Sequence, residues 1–126
     1  MAINEDEVEQ FISWGIVQPD DISQGQQESR GKELSVIYKF NYQATSSFSV
    51  TMNFSFGAGD TGTLSNLVGS ILYTSVDTQQ TEGGNFDPTL GSSVTQTFPA
   101  SSFCSVVMTV QGNCDTYEGL LQTYLS

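Results

Sequence analysis

The chain has 126 residues with 37% apolar content, and fourteen acids against three cations and no histidine give it a formal charge of −11. That balance argues against nucleic-acid binding and against attraction to an anionic membrane, both of which need clustered Lys and Arg. A basic protein partner stays open through electrostatic steering, with nucleic-acid mimicry as its extreme form, although the acids here are scattered rather than dense.

By length this is one domain with a real core. No apolar run approaches a membrane span. The start, Met1-Ala2-Ile3-Asn4-Glu5-Asp6-Glu7, is acidic where a secretory leader would be basic, so the expectation is synthesis in a cytoplasm without a signal peptide, with a virion as one destination.

In chain order, residues 1–17 read as a helical arm. Asn4 and Glu7 form a capping-box pattern, and Ile3 and Val8 fall at the positions of a hydrophobic staple. Val8, Phe11, Ile12 and Trp14 make an apolar stripe that has to dock on something, either its own body or a neighbour. Residues 18–32 read as a flexible linker: Pro19, two aspartates, four glutamines and two glycines surround a single apolar side chain, Ile22. The β-rich body then occupies 33–126.

Within the body, Leu34, Val36, Tyr38, Phe40 and Tyr42 alternate with Glu33, Ser35, Ile37, Lys39, Asn41 and Gln43. After a short turn, Phe48, Val50, Met52, Phe54 and Phe56 alternate with Ser47, Ser49, Thr51, Asn53 and Ser55. Side chains on a strand leave opposite faces in turn, so each segment is a strand with one fully apolar face. Joined this tightly, the two are expected to form an antiparallel hairpin.

Leu64, Leu67, Val68 and Ile71 fit helical spacing, which predicts a short helix or turn near 63–69 before a strand near 70–78. Residues 79–90, with Gly83-Gly84-Asn85 and Pro88, read as a loop. Strands follow over about 92–98 and 102–111, the latter turning Cys104, Val106, Met108 and Val110 inward. At the C-terminus Asp115 and Glu118 form a capping-box pair before Tyr117, Leu120, Leu121, Tyr124 and Leu125, which fits a helix. A last strand is the alternative, since Gly119 weakens a helix. The fold class is mainly β: a small antiparallel β-sandwich or partly closed barrel, with a short N-terminal helix arm and a C-terminal segment of helical pattern.

Catalytic patterns are sparse. There is no histidine for acid–base work and no G-x-S-x-G, P-loop, dinucleotide or H-E-x-x-H motif, so the expectation is a protein that is not an enzyme and carries no cofactor. Asp60, Asp77, Glu82 and Asp87 are the loop acids that glycoside chemistry would have to use. Asp60, Glu82, Asn85 and Asp87 are the oxygen ligands a calcium site would have to use, without EF-hand spacing. Cys104 and Cys114 are too few for structural zinc and read as buried free thiols, with a disulfide as the alternative. Trp14 and Phe86, in arm and loop, are the aromatics a sugar-binding module would present.

The outer row Ser49, Thr51 and Asn53 is short, polar and uncharged, which suits docking on another flat surface. The reading is a non-enzymatic structural or assembly protein, most concretely a virion component such as a phage head-decoration (cement) or tail protein. It would dock on protein partners, as a homo-oligomer or on the lattice of a larger particle, through the stripe Val8, Phe11, Ile12 and Trp14 and the face Ser49, Thr51 and Asn53. The alternative is a soluble recognition module, either a carbohydrate-binding domain or a small acidic inhibitor or immunity protein. A third reading makes the hairpin 33–56 a membrane-inserting strand pair of a toxin.

Overall fold

A computed structural model describes residues 16–17, 19–22 and 25–126. Among these, nine strands form two facing sheets. The first sheet contains β1 (Ile16–Val17), β3 (Glu33–Ala44), β8 (Ser101–Cys114), β5 (Leu64–Ser75) and β6 (Gln80–Phe86), in that spatial order. The second contains β2 (Gln26–Arg30), β9 (Leu120–Leu125), β4 (Phe48–Gly57) and β7 (Ser93–Phe98). Every pairing is antiparallel except β1 with β3, which is parallel and matches Ile16 to Asn41. The fold is a β-sandwich.

Alternation builds its core. From β3, Leu34, Val36, Tyr38, Phe40 and Tyr42 are all buried. They share the interior with Val50, Met52 and Phe54 of β4 and with Cys104, Val106, Met108 and Val110 of β8. Strand β8 is the hub, bonded to β3 on one side and β5 on the other.

The expected hairpin of the two aromatic-rich strands does not form. Strand β3 pairs with β8, whereas β4 pairs with β7 and β9, so the link at 45–47 carries the chain from one sheet to the other. Two apolar faces can be buried by facing each other across a sandwich about 10 Å thick as well as by lying side by side. Tyr42 and Phe48 close this arch, their rings edge to face at 4.8 Å.

Three segments differ from their local pattern. Residues 64–69 are strand rather than helix: a bulge between Ser65 and Val68, with Asn66 at φ 55°, inserts an extra residue and shifts the alternation. The apolar residues then recur at a spacing of three, which imitates a helix. The expected loop at 79–90 contains β6 and a single 3-10 turn, Pro88–Leu90, capped by Asp87. The C-terminal helix is replaced by β9, with Leu121, Thr123 and Leu125 facing in. Its capping pair serves another purpose, Asp115 accepting the backbone N–H of Thr63 at 2.7 Å and Glu118 the hydroxyl of Thr61 at 3.1 Å.

The segment expected as a flexible linker carries structure too. Pro19–Ile22 forms a helical turn, α1, with Ile22 fully buried, and β2 pairs along its whole length with β9. Its polarity follows from its place at a sheet edge, where only one side of the strand meets a partner. Of the arm expected over 1–17, Ile16 and Val17 form β1. The stripe Val8, Phe11, Ile12 and Trp14 lies outside the described residues.

Candidate docking face

The outer surface of the four-stranded sheet is set by register. Ser49, Thr51 and Asn53 of β4 stand opposite Thr97, Thr95 and Ser93 of β7. On the other side, Asn53 faces Tyr124 and Ser55 faces Gln122 of β9, which in turn face Gln26 and Glu28 of β2. A grid of hydroxyls and amides results, with one aromatic, Tyr124, 52% exposed within it.

The side chains of this grid bond each other. Ser49 and Thr97 share a hydroxyl–hydroxyl bond at 2.9 Å, and Thr51 and Thr95 another at 2.7 Å. Asn53 Nδ2 donates to the carbonyl of Tyr124 at 3.4 Å and to the Ser126 hydroxyl at 3.1 Å. Such cross-strand pairs hold the side chains low and regular, which keeps the face flat. The charges here stand at its β2 margin and neutralise each other: Arg30 Nε lies 2.8 Å from Glu28 Oε1. The Gln122 amide, donating at 3.0 Å, and the Arg30 guanidinium hold the Glu28 carboxyl below its usual range.

The structure thus brings Ser49, Thr51 and Asn53 together on one surface and adds Ser93, Thr95, Thr97, Gln122 and Tyr124 to them. The alternation Ser93, Thr95, Thr97 was visible in the sequence. What could not be seen was that this strand and the last one flank β4.

Other candidates are dispersed or occupied. Among the described residues no group of three or more His, Cys, Asp or Glu is placed to hold a metal ion. Asp87 accepts both the N–H and the hydroxyl of Thr89, at 2.9 and 2.6 Å, which lowers its pKa. Asp77 lines an open groove of about 970 Å³ at the arch end, with Gln43, Ser46, Phe48 and Ser101. Its carboxylate is taken by the Ser102 hydroxyl at 2.6 Å and N–H at 2.9 Å, which holds its pKa down and ties the β5–β6 turn to the start of β8. Phe86 is not a presented aromatic: its ring packs 5.8 Å from Phe54, against Gly69. Cys104 and Cys114 are buried free thiols on one strand. Ten residues of extended chain put them roughly 30 Å apart, beyond any disulfide.

The fold and this face define a small β-sandwich whose four-stranded sheet carries charge only at its β2 margin, among the described residues. Comparison of the sequence with protein-family models and with curated proteins gives no match. Among solved structures, the chain is similar to PliG from Aeromonas hydrophila, a periplasmic inhibitor of g-type lysozyme. The TM-score is 0.33 and the identity 11%, over 89% of this chain and 96% of that one. An overlap of this quality defines neither partner nor activity.

Proposed function

We propose that this chain is a non-enzymatic structural or assembly protein that docks on a protein surface through the outer face of its four-stranded sheet, most concretely as a virion component such as a head-decoration or tail protein. The observation that carries this reading is the absence of uncompensated charge across Ser49, Thr51, Asn53, Ser93, Thr95 and Thr97 in a chain of net charge −11. A flat face of short, mutually bonded side chains loses little rotamer freedom on contact and desolvates no ion. The stripe Val8, Phe11, Ile12 and Trp14, ahead of β1 in the chain, supplies the second contact in this reading by entering a partner groove.

The test is gradient sedimentation of the tagged full chain from its source cells. The wild type is expected with a high-mass assembly, and a Thr51→Arg/Thr95→Arg variant, folded by circular dichroism, in the low-mass fractions. A wild-type chain confined to the low-mass fractions overturns the reading.

A second reading, a neutral-carbohydrate recognition module, is favoured by exposed Tyr124 flanked by Gln26 and Asn53, an aromatic platform ringed by amides. A glycan titration that perturbs tyrosine fluorescence in the wild type but not in Tyr124→Ala would support it.

A further inference from the structure

The opposite face of the sandwich has a different chemistry. On the outside of the five-stranded sheet, Ile37, Val68 and Leu72 are 39%, 37% and 40% exposed, and Val107 lies half-buried among them. Register sets their arrangement. Across the central strands Ile37 of β3 is level with Thr109 of β8 and Ser70 of β5. One step along, Lys39, Val107 and Leu72 are level, and one step the other way Ser35, Gln111 and Val68. Strand β5 therefore presents a notch, with small Ser70 between Val68 and Leu72, while β3 presents a knob, Ile37, at the same level.

These two strands flank β8 symmetrically. A two-fold axis running along β8 would lay each copy's β3 over the other copy's β5. Ile37 of each would then enter the notch above Ser70 of the other, and Val107 would meet its own counterpart near the axis. We infer that this face is a self-complementary interface for a second copy of the chain, a two-fold dimer formed back to back with the docking face. Both partners of an isologous contact must offer matching knob and hole, and this sheet carries both at one level. The three long strands β3, β8 and β5 give a face about 14 Å wide and about 40 Å long, under about 600 Å² per partner, which is the size of a weak, reversible interface rather than a standard one. Lys39 is the charge in these three levels, and its stem can cover Leu72 while its ammonium reaches water. The inference goes beyond the docking reading, which uses the other sheet, so either can fail alone.

The test is sedimentation equilibrium of the full chain from about 5 μM to about 1 mM, a range that spans ordinary dimer affinities. A monomer–dimer equilibrium is expected. Leu72→Lys should weaken it at least about tenfold, since the two-fold brings two new ammonium groups into the contact, each level with the other copy's Lys39. Thr51→Arg on the other face should leave it unchanged. Val107→Cys should give a disulfide-linked dimer on mild oxidation, since native Cys104 and Cys114 are buried. A wild type that stays monomeric throughout, a dimer indifferent to Leu72→Lys, or a dimer lost in Thr51→Arg would each overturn the inference.

Discussion

Among the described residues, buried hydroxyls are the polar points of the interior, and each has a partner. Tyr38 and Thr123 bond across the sandwich at 2.7 Å, Tyr42 donates to the carbonyl of Pro99 at 2.7 Å, and Ser75 and Ser101 pair at 2.6 Å. A satisfied buried hydroxyl contributes on the order of 1 kcal/mol, but an orphaned one costs about 1–3 kcal/mol, so these pairs specify alignment more than they add stability, Tyr38 with Thr123 between the two sheets and Ser75 with Ser101 between β5 and β8 of one sheet. Burial pushes the Tyr38 phenol up to about 12 and raises Tyr42 as well. The folded state thus prefers the protonated phenol. The stabilisation is complete below the unfolded pKa of about 10 and is lost as the pH climbs toward the folded value. The urea midpoint is expected to be flat from about pH 7 to about pH 8, to begin to fall as the thiol of Cys104, also raised by burial, ionises in the unfolded chain, and to fall most between about pH 10 and about pH 12. In Tyr38→Phe, which cannot ionise there, the fall should be shallower.

Strand β6 shows how an element is held by backbone as much as by side chain. Its residues Gln80–Asn85 are exposed, so few apolar contacts fix them, and the ladder to β5 does most of the work. Within it Gly83 takes φ 104°, and a β-carbon there would stand 2.0 Å from the carbonyl oxygen of Ile71. Gly83→Ala is therefore expected to destabilise the protein by about 2 kcal/mol, through an unfavourable φ and a clash with backbone that has no rotamer to escape into. A lower urea midpoint at unchanged m-value would show it; an unchanged midpoint would mean the edge strand reshapes freely. The neighbouring Gly84 has open space around its Cβ and makes the matched control. Strand β9 is the opposite case. It lies between β2 and β4 and buries Leu121, Thr123 and Leu125, so its tertiary partners override the helical look of its sequence.

For the molecule as a whole, the net charge of −11 opposes compaction at neutral pH. The acids of the described body lie mostly in turns and at strand ends, among them Glu33, Asp60, Asp77, Asp87, Asp115 and Glu118. Both sheet faces are left nearly uncharged, one polar and one polar with a central aliphatic patch of Ile37, Val68, Leu72 and Val107, so contacts at either face meet little local repulsion. Screening should relieve the global term: the melting temperature at pH 7 is expected to rise between about 10 mM and about 200 mM NaCl, as the Debye length falls from ~30 Å to under ~8 Å. A melting temperature that falls with salt would mean that specific ion pairs, such as Arg30 with Glu28, outweigh the general repulsion.

The sequence by itself determined which residues are inside. Period-two alternation needs only the strand's own geometry, so Leu34 to Tyr42, Val50 to Phe54 and Cys104 to Val110 were legible as buried rows, and Ser49, Thr51 and Asn53 as an outer row. Only the tertiary structure decided which strands are neighbours. Pairing joins residues distant in the chain, Tyr38 with Met108 and Asn53 with Tyr124, and no local pattern encodes that choice. For the same reason the hairpin of β3 and β4 opened into an arch between sheets, the bulge in β5 passed for a helix, and the capping pair Asp115 and Glu118 turned to cross-loop bonds. Both candidate faces follow from this: their residues are plain in the sequence, but their adjacency is set by sheet order.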